Sequence, residues 1–204
     1  MKTRILPAII LSITLLPAAT LAEQDDAARA FLNFAARHDD SDLGYNKRYI
    51  NDTNDDGQTA LMLAVQEERY NRVVIRLISN GANINASDNS GKTALMYAAD
   101  SNNDDIIRLL LEKGANVNAA DNNGKTALMF AADNWNGDSV VRLLIRGGAR
   151  VNEVDKCGRT AAMFARIDEN KSVLEILRNA GADIFSWHLL TKGVGCVSEH
   201  LMSQ

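Results

Sequence analysis

Short apolar runs flanked by polar turns recur four times along this chain of 204 residues. Each run has alanine at both ends and methionine in the middle, and it begins three residues after a glycine. These glycines are Gly57, Gly91, Gly124 and Gly158, which lie 34, 33 and 34 residues apart. A second series, out of phase with the first, comprises Gly81, Gly114, Gly148 and Gly181. Self-similarity with this period indicates a repeat protein.

The polar and apolar positions predict the same elements in every unit. A polar turn such as Asp-Asn-Ser-Gly at 88–91 opens the unit, and the threonine that follows is expected to cap a short first helix (Thr59, Thr93, Thr126 and Thr160). Apolar residues at helical spacing predict a second helix, for example Ile106, Ile107, Leu109, Leu110 and Leu111. A glycine of the second series is expected to end it in the left-handed conformation. The pattern predicts an all-α repeat solenoid.

The period and the recurring sequence motifs of these units resemble those of the ankyrin repeat. Residues 91–99 read Gly-Lys-Thr-Ala-Leu-Met-Tyr-Ala-Ala, and residues 114–119 read Gly-Ala-Asn-Val-Asn-Ala. The resemblance implies stacked helix-turn-helix units with β-hairpin-like turns. It divides the chain into four ankyrin repeats at 54–87, 88–120, 121–154 and 155–186. A capping helix with an incomplete repeat is expected at 23–53, and a C-terminal cap at 187–204.

The chain departs from the family pattern at two positions of each repeat. Ankyrin repeats usually carry proline and histidine where this chain has alanine (Ala60, Ala94, Ala127 and Ala161) and methionine (Met62, Met96, Met129 and Met163). We expect the methionines to replace the family's histidine hydrogen bonds by packing in the core. Sulfur could also bind copper(I) or a haem iron. However, a spacing of about 10 Å between repeats is too wide for two sulfurs to share one ion, and no cofactor is expected.

Residues 1–22 are predicted to be a cleavable signal peptide. Lys2 and Arg4 precede a mostly apolar stretch over residues 5–16, and small residues stand at positions 20 and 22. The stretch is too short to span a bilayer, so we expect a periplasmic protein, or alternatively a secreted one, with no membrane contact in its mature form. Loss of the two cations changes the formal charge from −4 to −6. An acidic chain without a basic run indicates that nucleic acid is not the partner.

Two cysteines, Cys157 and Cys196, either form one disulfide or stay as free thiols. The three histidines share no metal-ligand spacing, and no metal site is predicted. Residues 52–57 resemble the start of an EF-hand loop, but Leu63 stands where that loop needs a bidentate glutamate. No phosphate-binding glycine loop or serine elbow appears, so we expect no enzyme and no catalytic residue. A small activity carried by a cap segment is the alternative.

The resemblance also implies a binding surface, because the turn tips and first-helix ends of ankyrin repeats line a concave face that binds proteins. The predicted partner-binding residues are Asp55, Asp56, Gln66, Asn89, Lys92, Asp100, Asn122, Lys125, Asp133, Trp135, Lys156 and Arg159. Further matching positions include Gln58, Ser90, Ser101, Asn123, Asn134, Ile167 and Asp168. The ring of Trp135 either projects as a binding hot spot or folds back over the neighbouring helices. Acidic tips at one end and basic residues along the rest would steer a partner.

We therefore expect a non-catalytic periplasmic module that captures a partner protein. Two roles fit a small exported ankyrin protein. One is an immunity protein that blocks a toxic effector. The other is an accessory protein that supports catalase or haem handling in peroxide stress.

Overall fold

A computed structural model describes Leu32, residues 49–167 and residues 170–184 of this chain. The predicted signal peptide, most of the predicted N-terminal cap, Asp168 and the whole predicted C-terminal cap with Cys196 lie outside the described residues. Between residues 49 and 184 the described helices with assigned bounds are, in chain order, α1 (Ala60–Ala64), α2 (Asn71–Ser79), α3 (Ala94–Asp100), α4 (Asp104–Glu112), α5 (Ala127–Ala132), α6 (Asp138–Arg146), α7 (Ala161–Ile167) and α8 (Lys171–Asn179). A short 3₁₀ helix, Glu68–Tyr70, precedes α2.

The helices pack in two parallel rows. The short helices α1, α3, α5 and α7 follow one another in the first row, and α2, α4, α6 and α8 follow one another in the second. Each short helix also packs against the longer helix of its own unit. One continuous apolar core runs between the rows, because each unit covers the apolar side of the next. The predicted all-α repeat solenoid is confirmed.

The methionines lie inside this core. Met62, Met96 and Met129 are each only 1 % exposed, and Met163 in α7 is half-buried. Their alanine neighbours on the first helices are also buried, and the small side chains allow the helices to approach closely. The expectation that the methionines pack in the core is confirmed, and the three buried sulfurs are out of reach of a ligand from solvent.

Hairpin-like turns connect the units. Antiparallel bridges join the residues on either side of three turns, namely Thr53 with Thr59, Ser87 with Thr93, and Ala120 with Thr126. Inside the second turn the buried carboxylate of Asp88 accepts the backbone N–H groups of Ser90 and Lys92, both at 2.9 Å. The carboxylates of Asp121 and Asp155 likewise each accept two backbone N–H groups of their own turn. These hydrogen bonds fix the shape of each tip independently of its exposed side chains.

Thr59, Thr93 and Thr126 stand at the N-cap positions of their helices, as predicted, but only Thr59 caps its helix with its side chain. Thr59 accepts the backbone N–H of Met62 at 3.4 Å, whereas Thr93 and Thr126 stand at the cap position without a side-chain hydrogen bond. The reason lies in the backbone, because the N–H of Met96 already donates to the carbonyl oxygen of Thr93 at 3.1 Å. The amide that the hydroxyl would cap is therefore occupied.

Four asparagines that come just before the polar turns link neighbouring units. In each, the side-chain oxygen accepts a backbone N–H of the next unit (Asn51 from Asn83, Asn85 from Asn116, Asn118 from Arg150, Asn152 from Asp183). The side-chain N–H groups of Asn85, Asn118 and Asn152 donate to the carbonyl oxygens of Gly114, Gly148 and Gly181. This asparagine ladder, defined as Asn51, Asn85, Asn118 and Asn152, fixes the register of one unit on the next.

Candidate functional site

The structure separates the predicted partner-binding residues by exposure. Nine are exposed, namely Asp55, Asp56, Gln66, Asn89, Asp100, Asn122, Asp133, Trp135 and Lys156. The other three, Lys92, Lys125 and Arg159, are half-buried. All twelve belong to the turn tips, the ends of the first helices or the loops just after them. The exposed group can contact a partner directly, while the half-buried group is partly used inside the molecule.

Hydrogen bonds join each turn tip to the tip of the neighbouring unit. The backbone N–H of Asn89 donates to the carbonyl oxygen of Asp56 at 2.9 Å, and its side-chain N–H donates to that of Asp55 at 2.8 Å. One unit further on, Asn122 donates in the same way to Ser90 at 2.8 Å and to Asn89 at 2.9 Å. These two asparagine amides therefore hold adjacent tips together, whereas the carboxylates of Asp55 and Asp56 take no part in these hydrogen bonds.

Cations and aromatic rings alternate along the first-helix face. The Lys92 ammonium lies 4.6 Å from the ring centre of Phe130, and that of Lys125 lies 4.5 Å from the same ring. Lys125 is also 4.4 Å from the ring centre of Phe164, over which the Arg159 guanidinium lies at 4.6 Å. Such contacts are favourable because the face of an aromatic ring carries partial negative charge. We call these five residues the cation–ring ladder.

The repeat pattern indicates the members of this ladder but not their contacts. It places each basic residue and each aromatic residue at the same position in successive units. Phe130, however, stands 38 positions after Lys92 in the sequence. Only the stacking of one unit on the next brings such a pair together. Two of the cations also form ion pairs within their own unit, since Lys125 lies 3.1 Å from Asp133 and Arg159 lies 2.8 Å from Asp155.

A polar depression of about 390 Å³ lies between the first two tips. Its lining consists of Asp56, Gln58, Asp88, Asn89, Ser90 and Tyr97. The Tyr97 hydroxyl accepts a hydrogen bond from Gln58 at 2.7 Å and donates one to Asp88 at 2.6 Å. Burial and the bond to Asp88 raise the pKa of Tyr97 to about 12.

The carboxyl group of Asp88 keeps its charge in this depression. Burial acts to raise its pKa, but hydrogen bonds from Tyr97, Ser90 and the turn amides outweigh burial and hold the pKa below its usual 3.8. Both carboxylate oxygens are thereby occupied. Asp88 acts as a structural acceptor that joins the tip to α3.

Trp135 projects from the loop between α5 and α6. Its side chain is 69 % exposed, although its backbone is anchored because Asn170 donates a hydrogen bond to its carbonyl oxygen at 2.9 Å. The same Asn170 caps α8. Ile167, at the end of the first helix of the next unit, is 59 % exposed. Of the two alternatives for Trp135, the structure has the projecting ring, and its role in binding stays a prediction.

The remaining candidate chemistry is sparse within the described residues. Cys157 is half-buried and disulfide-bonded, and since Cys196 lies outside the described part, their pairing stays a prediction. Residues 49–167 and 170–184 hold no group of three histidine, cysteine or acidic side chains placed to bind a metal ion. In the same ranges no helix combines the length and apolar character that crossing a bilayer requires.

The comparison with protein-family models places the whole described stack in a known kind of repeat. A family model described as ankyrin repeats, in three copies, matches residues 13–121 and again residues 115–186. Together the two matches cover more than half of the chain, including all eight helices and every tip described above.

Proposed function

Since this chain belongs to the ankyrin-repeat family, whose repeats form protein–protein interaction modules, we propose that it captures a partner protein on its tips and first-helix ends. We call this surface the tip face. The observation that carries the proposal is Trp135, a large ring that is 69 % exposed on a loop whose backbone is fixed. Tryptophan at such a place is typical of binding hot spots, because it buries much area for little loss of side-chain entropy.

Two further features support this choice of face. Ile167 adds a second exposed apolar side chain in the unit next to Trp135. The tips are bonded to one another through their backbones, so the surface loses little conformational freedom when a partner binds. The buried turn carboxylates of Asp88, Asp121 and Asp155 are already hydrogen-bonded within their own turns, so recognition of a partner falls to the exposed side chains of the tips.

The proposed location is the periplasm, and it depends on the sequence of residues 1–22. A charged start, a short apolar stretch and small residues before position 23 are the features of a cleaved export signal. Fractionation of cells that express the full chain, with mass spectrometry of the recovered protein, tests this. We expect a periplasmic product that begins at Glu23, and a cytoplasmic product when residues 2–22 are deleted. Recovery of the intact full chain in the cytoplasm would refute the proposed export.

The proposed mode of action is occlusion, in which the rigid module covers the active surface of its partner. An immunity protein that blocks a toxic effector acts in this way and is the first candidate role. Support of a catalase or of haem handling is the second, and it would use the same face. The partner's identity separates them, because binding should inhibit a toxic effector but should preserve the activity of a catalase-pathway protein.

Capture from a periplasmic extract, with mass spectrometry of the bound proteins, tests the proposed face. We expect Trp135→Ala to weaken binding of the captured partner by about 30-fold or more, the range for a hot-spot side chain. Ile75→Ala is the matched control, because Ile75 is 51 % exposed on the outer helix α2, away from the tips. Equal binding by both variants and the wild type, with unchanged melting temperatures, would rule out Trp135 as the anchor.

A further inference from the structure

In one unit of the tip face, two residues of opposite charge stand where another unit has an ion pair, but they do not pair with each other. Each unit carries a tip residue and a first-helix-end residue eight positions later. These two positions hold Gln58 and Gln66 in the first unit, Lys92 and Asp100 in the second, Lys125 and Asp133 in the third, and Arg159 and Ile167 in the fourth. The second and third units therefore have the same pair of charges at the same places.

The structure treats these two identical pairs differently. In the third unit Lys125 and Asp133 are joined at 3.1 Å. In the second unit no ion pair forms between Lys92 and Asp100 or between either of them and another residue of the described ranges. The Lys92 ammonium instead lies over the rings of Phe130 and Tyr97, at 4.6 and 5.3 Å.

Asp88, the acidic residue nearest to Lys92 in the turn, does not serve as the ion-pair partner of the Lys92 ammonium. Asp88 is close to Lys92 in the turn, but its carboxylate oxygens accept from Tyr97, Ser90 and the Lys92 backbone N–H. The ammonium of Lys92 is thus positioned by two rings while lacking a carboxylate partner. Rings hold a cation in place without neutralising its charge, which prepares Lys92 for an acidic group from outside.

We propose that Lys92 is the specificity-determining residue of the tip face and binds an aspartate or glutamate of the partner protein. The inference rests on the proposed function of this face. Asp100, exposed at the end of α3, accepts a hydrogen bond from a donor of the partner that lies next to that acid. The partner thus supplies a counterpart for Lys92 and another for Asp100. Trp135 and Ile167, one and two units further along, bind an apolar side chain of the same segment.

The preference for an acidic residue is local to Lys92 and does not come from the overall charge of the chain. The full chain is acidic, with a formal charge of −4, so an acidic partner gains nothing from the overall field. Recognition of an acid must then come from a particular cation, and buried or half-buried charge pairs contribute more to affinity than pairs on the rim. Lys125 and Arg159 are already paired, which leaves Lys92 as the available cation of the cation–ring ladder.

Selection of a displayed random-peptide library on the full chain tests the inference and does not require the partner to be identified. We expect the enriched peptides to combine aspartate or glutamate with an aromatic or aliphatic residue. Lys92→Gln should weaken binding of such a peptide about 10-fold, the loss expected for a hydrogen bond to a charged group. Lys92→Glu should enrich peptides with lysine or arginine in place of the acid.

Lys113→Glu is the matched control, because Lys113 is an exposed lysine that ends α4 away from the tips. It should leave the selected peptides unchanged. The exchange of acid for base under Lys92→Glu is a readout that a purely structural role of Lys92 would not produce.

The outcomes distinguish this inference from the proposed function. Peptides that lose binding with Trp135→Ala but ignore both Lys92 variants would overturn the inference and leave the tip face intact. Peptides whose binding is unchanged by Trp135→Ala and by both Lys92 variants would overturn both the inference and the proposed function of the tip face. Failure to enrich any acidic peptide would also overturn the role of Lys92.

Discussion

Glycines in the left-handed region occupy two places in each unit, and their surroundings differ. Gly91 in a turn tip has φ of 81°, and Gly114 after a helix has φ of 88°. A Cβ added to Gly91 would lie 2.8 Å from the backbone nitrogen of Asn122, whereas one added to Gly114 would have no heavy atom within 4 Å. The tip glycine is therefore required twice, once for its own conformation and once for the close approach of the next tip.

Alanine substitution separates these two requirements. We expect Gly114→Ala to lower the free energy of unfolding by about 1 kcal/mol, the strain of a left-handed alanine. Gly91→Ala should lower it by roughly 2 to 4 kcal/mol, because the tips must also move apart. Urea unfolding followed by circular dichroism measures both. Equal losses would show that contact between the tips contributes nothing.

A single tyrosine should control the alkaline limit of stability. The pKa of Tyr97 is about 12 in the folded protein and 10.0 without the fold's influence. A raised pKa stabilises the fold fully below pH 10, and this contribution is lost as the pH rises from 10 to 12. Tyr97→Phe should therefore flatten the fall of melting temperature over this range.

Tyr70→Phe provides the comparison for that experiment, since Tyr70 is also half-buried but lies outside the Asp88 network. It should leave the alkaline fall of melting temperature unchanged. If Tyr97→Phe melts with the wild-type pH dependence, another group controls the alkaline transition.

At the scale of the element, side-chain amides rather than helix packing alone set how one unit registers on the next. Asn85 accepts a hydrogen bond from the backbone N–H of Asn116 at 2.8 Å and donates one to the carbonyl oxygen of Gly114 at 3.1 Å. Apolar contacts between helices are non-directional, whereas such paired hydrogen bonds are satisfied in only one alignment. The asparagine ladder therefore fixes the register between units.

Removal of one step of this ladder should weaken the stack locally. We expect Asn85→Ala to cost about 1 to 2 kcal/mol of stability, the net worth of two exposed hydrogen bonds. Hydrogen exchange should also accelerate at Asn116, the amide that loses its acceptor. Asn123→Ala, at an exposed tip whose side chain makes no such bond in the described structure, should be close to neutral. Unchanged exchange at Asn116 would contradict the register role.

At the scale of the whole molecule, each unit contacts only its neighbours, so stability depends on the ends as well as the centre. Cys157 lies in the last of the described tips and is disulfide-bonded. Its predicted partner, Cys196, would close a loop of about 40 residues and stabilise the fold by roughly 4 kcal/mol through the unfolded chain. The bridge would join Cys196 to the tip of the fourth unit.

Reduction of the full chain, purified under non-reducing conditions, tests this prediction. Intact mass under non-reducing conditions should be about two hydrogens lower than after reduction and should show one bridge per chain. Cys157→Ser should lower stability by an amount close to the loop-closure value. A free thiol on either cysteine in the oxidised protein would refute the predicted bridge.

Local and periodic features were predictable from the sequence of this protein. The period of 33 or 34 residues determined the stacked units, the burial of Met62, Met96 and Met129, and the glycines that must adopt positive φ. Each of these depends on a residue's own conformation or on an apolar position repeated along the chain. For the same reason the sequence also indicated which positions would lie along the tip face.

The tertiary structure alone decided how the polar residues of that face are used. Asn89 and Asn122 donate their amides to neighbouring tips, and Lys125 pairs with its acid while Lys92 does not. The asparagine bonds and the Lys92–Phe130 contact join residues 33 to 38 positions apart, whereas Lys125 and Asp133 lie only eight positions apart within one unit. Only the stacking of one unit on the next brings the distant residues within a few ångströms of each other, and only the folded structure shows which of the two lysines pairs with the acid of its own unit.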